Sequence, residues 1–198
     1  MNRNKTTNVL IVGVGGQGIL LASEVVSQAA LLAGLDVKKS EIHGMSQRGG
    51  TVNSHVRFGE KVLSPIIPQG QVDVLVALEK LEALRWSGYL APDGAIVVND
   101  FRLDPASVAT GKIPYTENAI DYLYSNGRRV LVVDGVARAL EAGDLRSMNV
   151  VLLGALSRLL DFPAELWEKA LEAQVKEKFI ELNRRAFALG RDAADSLR

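Results

Sequence analysis

The run Asn8-Val9-Leu10-Ile11-Val12 ends in Gly13-Val14-Gly15-Gly16-Gln17-Gly18, and an apolar-periodic segment begins directly behind it. A short run rich in β-branched residues and closed by glycine reads as a buried strand. From Gln17 to Ala33, Ile19, Leu20, Val25, Val26, Ala29, Ala30 and Leu32 recur at helical spacing, with Gly34 as the stop. A buried strand that passes through glycines straight into a helix opens a βα crossover, so the chain is directed toward an α/β architecture. The glycine run fits G-x-G-x-x-G, and Gly13, Gly15, Gly16, Gln17 and Gly18 are its candidate ligand-binding positions. Three readings stay open: a nucleotide or coenzyme phosphate cradled by free helix N–H groups, some other anion, or a tight crossover in which glycine only lets the helix pack closely. A dinucleotide site also needs an acid near the end of the second strand. Glu41 is near that place, and Asp36 comes too early.

Strand and helix signals alternate along the next hundred residues. Asp36 to Ile42 reads as a strand, and His43 to Gly50 as a loop. Thr51 to Phe58 alternates, with Val52, Ser54, Val56 and Phe58 on one face and Thr51, Asn53, His55 and Arg57 on the other. Gly59-Glu60-Lys61 is a turn after which Val62-Leu63-Ser64 is a candidate hairpin partner. Val72 to Ala77 is a buried strand, Glu79 to Trp86 a short helix, Pro92-Asp93-Gly94 a turn, and Ala95 to Asn99 and Arg129 to Val133 further strands around a helix near Glu117 to Tyr124. Beyond Gly135 the pattern is helical: Val136 to Leu140, Met148 to Leu160, and Pro163, suited to a first helical turn, to about Leu189. The expectation is an α/β fold: a Rossmann-like mixed sheet with flanking helices and a helical C-terminal segment. It forms a single domain over 1–198, with an α/β core to about 135 and a helical part from about 136.

Composition narrows the function classes. The 198 residues carry 23 basic and 23 acidic side chains, so the chain lacks the net positive charge of a general nucleic-acid or membrane-surface binder. The absence of cysteine excludes disulfides, thiolate zinc sites, cysteine-bound iron–sulfur clusters and thiol nucleophiles, and two histidines leave little for a metal site. No signal-peptide pattern opens the sequence, and no apolar stretch reaches about 18 residues, so a cytoplasmic protein is expected.

Both histidines fall in a second polar, glycine-rich run, Ser40-Glu41-Ile42-His43-Gly44-Met45-Ser46-Gln47-Arg48-Gly49-Gly50-Thr51-Val52-Asn53-Ser54-His55-Val56-Arg57-Phe58-Gly59. Taken with GVGGQGILLASEVV at this spacing, it resembles the gamma domain of the 2-oxoacid:ferredoxin oxidoreductases. Its HGMSQRGG form is most similar to the small (beta) subunit of the indolepyruvate type. The likeness extends through VDVLVALE and the strand at Ala95 to Asn99; the C-terminal helices are less diagnostic. The resemblance implies a complex that oxidatively decarboxylates a 2-oxoacid with coenzyme A. Thiamine diphosphate and iron–sulfur clusters would be held by a large (alpha) subunit, and electrons would go to ferredoxin. The chain fits that division. It has no cysteine for a cluster and no GDG…NN pattern for the diphosphate, so it should hold no cofactor and no catalytic or metal residue, and be inactive alone.

The resemblance further implies that Arg48, Gly49 and Gly50 face the large subunit and its active-site entrance. Arg48 offers a planar, permanent charge to a carboxylate or phosphate, and glycines permit close backbone approach. His43, Gln47 and Arg57 join these as candidate ligand-binding residues, with His55 beside Arg57. Plainer roles stand beside each: Arg48 bridging to an acid of the partner, His43 bonding within a turn, His55 as a satisfied sheet-face residue, Ser46 and Gln47 as loop hydrogen-bonders, and Met45 as a wall. Trp86, Tyr89 and Trp167 read as packing residues, and the charges between Lys176 and Arg191 as a solvated helix face. Two other functions remain: a stand-alone Rossmann-type nucleotide-binding oxidoreductase, and a pure interaction module.

Overall fold

The structure, a computed structural model, describes residues 6–43 and 50–195, the side chains of His43 and Asp195 apart. Six strands form one sheet: β1 (Thr7–Val14), β2 (Asp36–His43), β3 (Thr51–Gly59), β4 (Val72–Ala77), β5 (Leu90–Asn99) and β6 (Arg129–Val133). Their order is β2-β3-β1-β4-β5-β6. β3 runs antiparallel to both β1 and β2, while β1, β4, β5 and β6 are mutually parallel. Around the sheet lie helices α1 (Ile19–Leu32), α2 (Lys80–Trp86), α3 (Ala106–Ala109), α4 (Ala119–Ser125), α5 (Gly135–Ala142), α6 (Met148–Leu156), α7 (Ala164–Gln174) and α8 (Ile180–Asp195). The mixed α/β sheet with a helical C-terminal segment is the architecture expected from the sequence.

Alternation along the strands divides the core in two. Val9, Ile11, Val56, Phe58, Val74, Val76 and Val97 pack with residues of α1 and α5–α8. Leu10, Val12, Leu75, Ala77, Ile96 and Val98 pack with Ala83 of α2, Leu123 of α4 and Ile67 of the β3–β4 connection. Covering both faces is why the central strands read as unbroken apolar runs rather than alternating ones. On the first face, Phe58 meets Phe162 with ring centroids 5.3 Å apart, and Phe162 meets Trp167 at 5.8 Å. The C-terminal helices are thus part of the sheet's own core.

Three local expectations are corrected. Val62-Leu63-Ser64 is not a strand, because the hairpin partner of β3 is β2. Val62 donates its N–H to Asp36 Oδ2 at 2.8 Å and buries its side chain, while Leu63 faces solvent. Pro92-Asp93-Gly94 lies inside β5 as an irregularity, with a register shift against β4 between Val72 and Val74. A Cβ on Gly94 would stand 2.6 Å from the Val72 carbonyl oxygen, so glycine is what the close ladder admits there. Finally, Pro163 to Leu189 is two helices. Val175 is extended between α7 and the turn that leads into α8, which lets α8 fold back over α6.

That return is very close. A Cβ on Gly154 of α6 would lie 2.1 Å from the Phe187 carbonyl oxygen, and one on Gly190 of α8 would lie 1.9 Å from that of Val151. Backbone cannot yield as a flexible side chain does. Gly190→Ala and Gly154→Ala should each lower unfolding free energy by about 3 kcal/mol or more, read by urea denaturation. A loss below about 1 kcal/mol would contradict this crossing.

Candidate functional site

From β1 the chain crosses to β2 on one side, and β3 then hands over to β4 on the other, so the direction of winding reverses between β1 and β4. In open α/β sheets the carboxyl ends of the strands at such a switch point form the usual crevice. Here that place holds the glycine run, the end of β4 with the start of α2, and Gly50 where the chain enters β3.

The glycine run is filled by its own glutamine. Gln17 Oε1 accepts the Val14 N–H at 2.7 Å, and its Nε2 donates to the Leu78 carbonyl at 2.9 Å. A Cβ on Gly13 would meet Gln17 Oε1 at 2.7 Å, so this glycine makes room for the amide. Asn99, fully buried at the end of β5, donates from Nδ2 to the same Leu78 carbonyl at 3.3 Å and accepts the Gly135 N–H at 2.9 Å. A Cβ on Gly135 would lie 2.6 Å from Asn99 Oδ1. Two carboxamides, each with a glycine cleared for it, therefore tie β1, β4, β5 and the start of α5 together. Gly18, at φ +80°, opens α1, and its carbonyl accepts from Asn149 Nδ2 at 3.0 Å.

A carboxylate in place of either amide keeps the shape and removes the donor to Leu78. Gln17→Glu and Asn99→Asp should each destabilise by about 1–3 kcal/mol. Because they share one acceptor, the double variant should depart from additivity in denaturation measurements.

The two glycine runs meet: Gly15 donates its N–H to the Gly50 carbonyl at 2.9 Å. His43 pairs with Val52 at the end of β2. Gln47, Arg48 and Gly49 lie outside the described residues. Arg57 is not brought to this end. Thr51 pairs with Val14 and Arg57 with Asn8, at opposite ends of β1. Its guanidinium donates to Asn8 Oδ1 at 2.8 Å and to the carbonyls of Ser64 and Ile66 at 2.9 and 3.1 Å, clamping the β3–β4 connection. His55 is a satisfied sheet-face residue whose Nδ1 accepts the Ile67 N–H at 3.2 Å; burial first, then the Arg57 charge, lowers its pKa. Glu41 stands level with Ser54, itself level with Ile11, so β3 separates it from β1 by two ladder spacings, about 10 Å. That is not the position of a ribose-binding acid.

Sequence reasoning missed the polar cluster behind the glycines. Glu79 and Glu82 are both fully buried. Glu79 caps α2 by accepting the Glu82 N–H at 3.0 Å and also takes the Tyr115 hydroxyl, under the Arg102 guanidinium. Glu82 Oε1 accepts from Arg85 Nη1 at 2.6 Å and from the Thr51 hydroxyl at 3.3 Å. Two acids three residues apart on a short amphipathic helix look like a solvated face. The one available signal was Glu79 following the apolar run Val74–Leu78, at an N-cap position. Among the described residues no group of three or more histidines and acids could hold a metal, and no helix is long and apolar enough to cross a membrane.

Burial pushes both glutamates above the ordinary carboxylate range, against the Tyr115 hydroxyl for Glu79 and the Arg85 charge for Glu82. The folded chain then holds protons more tightly than the unfolded one, so this contribution is full below the ordinary value of 4.5 and is lost as pH rises through the raised values. Glu79→Gln gives up one accepted hydrogen bond, so slopes are compared rather than totals. Its unfolding free energy should decline less steeply than the wild type's from pH 4.5 upward. Parallel curves would contradict the buried charge.

The fold and this edge define a class: a doubly wound α/β domain with an antiparallel strand set beside β1 and a switch-point loop occupied by its own side chain. The chain belongs to the pyruvate ferredoxin/flavodoxin oxidoreductase family, whose family model matches residues 8–193. It is 40% identical over 198 residues to the indolepyruvate oxidoreductase subunit IorB of Thermococcus kodakarensis, covering 98% of each chain. It is likewise 40% identical over 193 residues to the IorB subunit of Archaeoglobus fulgidus, covering 96% of each. The crystal structure of the keto/oxoacid ferredoxin oxidoreductase gamma subunit from Geobacter sulfurreducens superposes with a TM-score of 0.73 at 27% identity, over 96% of this chain and 99% of that one. The family resemblance read from the two glycine runs is thereby borne out.

Proposed function

We propose that the chain is the small, non-catalytic subunit of a 2-oxoacid:ferredoxin oxidoreductase acting on indolepyruvate or a related aryl pyruvate, with coenzyme A as acyl acceptor. In this reading the whole chain is one gamma-type domain and works in the cytoplasm. The large subunit holds thiamine diphosphate and the iron–sulfur clusters and passes electrons to ferredoxin. The near full-length likeness to IorB subunits supports the assignment. The donor set of this chain does not fit a cluster, since it contains no cysteine thiolate, so no electron-transfer step is assigned to it.

The carrying observation is the Gly15 to Gly50 hydrogen bond. It joins Gly50, where the second run enters β3, to the first glycine run at the carboxyl edge of the sheet, which supports a role for the preceding Arg48-Gly49 at this edge. There, Arg48 would present its guanidinium to an anionic group at the entrance of the partner's active site, either the coenzyme A phosphates or the oxoacid carboxylate. His43 and Gln47 are further candidate ligand contacts in this reading. The Gln17 amide inside the glycine run favours a narrower view of Gly13 to Gly18, as a packing turn that holds no ligand of its own. The displaced position of Glu41 argues in the same direction against a stand-alone dinucleotide enzyme.

Co-expression with the large subunit and purification through a tag on this chain should yield a brown complex, its colour supplied by the partner's thiolate-bound iron. It should oxidise aryl pyruvates only in the presence of coenzyme A. Arg48→Ala should leave the complex intact and raise the apparent KM for coenzyme A or for the oxoacid. A colourless, partnerless chain, or a large subunit fully active alone, would refute the assignment.

A further inference from the structure

β2 is the terminal strand of the sheet, and among the described residues its one ladder partner is β3. That ladder keeps a single register from Asp36 opposite Gly59 to His43 opposite Val52. Sheet edges are usually guarded against pairing by short strands, bulges, prolines or lysines that reach into solvent. β2 is eight residues long and contains no proline. Its two lysines are held by the chain's own acids: Lys38 Nζ meets Asp36 Oδ1 at 2.5 Å, and Lys39 pairs with Glu24 of α1.

The Lys39–Glu24 pair shows which part of α1 stands over this edge. Leu20, Glu24, Gln28 and Leu31 fall on one stripe of that helix. Leu20 and Leu31, at its two ends, are 52% and 53% exposed. Along β2, Val37 packs against the core that contains α1, so Lys39 and Glu41 share its face, while Lys38, Ser40 and Ile42 share the other. Glu41 Oε1 is buried with no hydrogen-bond partner, and a buried carboxylate oxygen calls for a donor.

We propose that the outer edge of β2, with the outward stripe of α1, docks a second copy of this chain about a two-fold axis through Ser40. An axis normal to the sheet makes the two β2 strands antiparallel and keeps both α1 helices on one face. Every contact then occurs twice, once on each side of the axis. Centred on Ser40, the pairing sets Lys39 opposite Glu41 of the other copy and Lys38 opposite Ile42. Directly opposed side chains on one face lie close enough for such ion pairs to form. An ammonium has three donors, so Lys39 can keep Glu24 and serve the mate's Glu41. Neighbouring registers are disfavoured: centring on Lys39 opposes two lysines, and centring on Glu41 opposes two glutamates. The two α1 helices run antiparallel across the axis, which brings Leu20 of one beside Leu31 of the other. This surface lies beyond the carboxyl-edge chemistry above and does not depend on the subunit reading.

The test uses the full chain. Sedimentation velocity over a dilution series should show a monomer–dimer equilibrium. Lys39→Glu and Glu41→Lys should each raise the dimer dissociation constant roughly tenfold or more, because either change opposes like charges on both sides of the axis. The double variant opposes unlike charges again and should recover the wild-type constant, which a merely structural loss would not do. Because the chain has no cysteine, Ser40→Cys introduces a unique thiol. Opposed Cα atoms in an antiparallel pair are about 4.5–5.5 Å apart, within disulfide range. Under a mild oxidant this variant should form a covalent dimer. Lys38→Cys should not, since each copy's position 38 lies four residues out of register with the other's, about 13 Å along the strand. If a charge reversal fails to fold, this cysteine pair decides alone. A chain that stays monomeric throughout the series, or one that cross-links no faster at position 40 than at position 38, would overturn the proposal. Amide exchange across β2 that slows only when the large subunit is added would also overturn it and give the edge to that partner.

Discussion

The Leu78 carbonyl, accepting from Gln17 at 2.9 Å and Asn99 at 3.3 Å, is the joint on which the carboxyl edge of the sheet depends. Parallel strands leave unpaired backbone groups where each ladder ends, and buried ones must find partners. Here two carboxamides supply both halves of the requirement. Each donates to Leu78 and accepts a backbone N–H, from Val14 in one case and Gly135 in the other. The geometry leaves no space for a Cβ at Gly13 or Gly135. The glycine run makes room for the Gln17 side chain, which joins the switch point into a hydrogen-bonded base.

On that base the chain places chemistry of a different kind. Gly15 holds Gly50, and the buried Glu82 with Arg85 holds Thr51. The carboxylates of Glu79 and Glu82 sit on the inner side of this edge, Glu79 compensated by the Tyr115 hydroxyl and the Glu82 N–H, Glu82 by Arg85 and the Thr51 hydroxyl. The opposite end of β1 carries its own clamp, in which Arg57 takes Asn8 and two carbonyls of the β3–β4 connection. Polar clusters thus stand at both ends of β1, while the centres of β1, β4 and β5 are sealed on both faces by aliphatic residues.

Much of this was legible in the amino-acid sequence. The apolar-rich strands at Val9–Val12 and Val72–Ala77, the strand across Thr51–Phe58 and the glycine stop at Gly34 follow from local rules of burial and backbone freedom, and each appears where expected. The paired glycine runs identified the family, because they form a pattern of spacing that one linear reading contains. The absence of cysteine set a limit on cofactor chemistry that no fold alters. The neighbour of β3, the path of β5 through Gly94 and the break at Val175 were not legible, because each depends on which backbone lies alongside.

The sequence by itself determined the class of fold, the family and the two glycine segments that matter, since periodicity, composition and motif spacing are properties of neighbours along the chain. Only the tertiary structure decided what those segments touch. It set Gln17 into its own loop, moved Arg57 to the far end of the sheet, placed β3 between β1 and Glu41, and buried Glu79 and Glu82 beneath Tyr115 and Arg85. The physical reason is that hydrogen-bond satisfaction and desolvation are settled across ladders and layers, between residues 31 to 61 positions apart in the cases of Thr51 with Glu82 and Gln17 with Leu78.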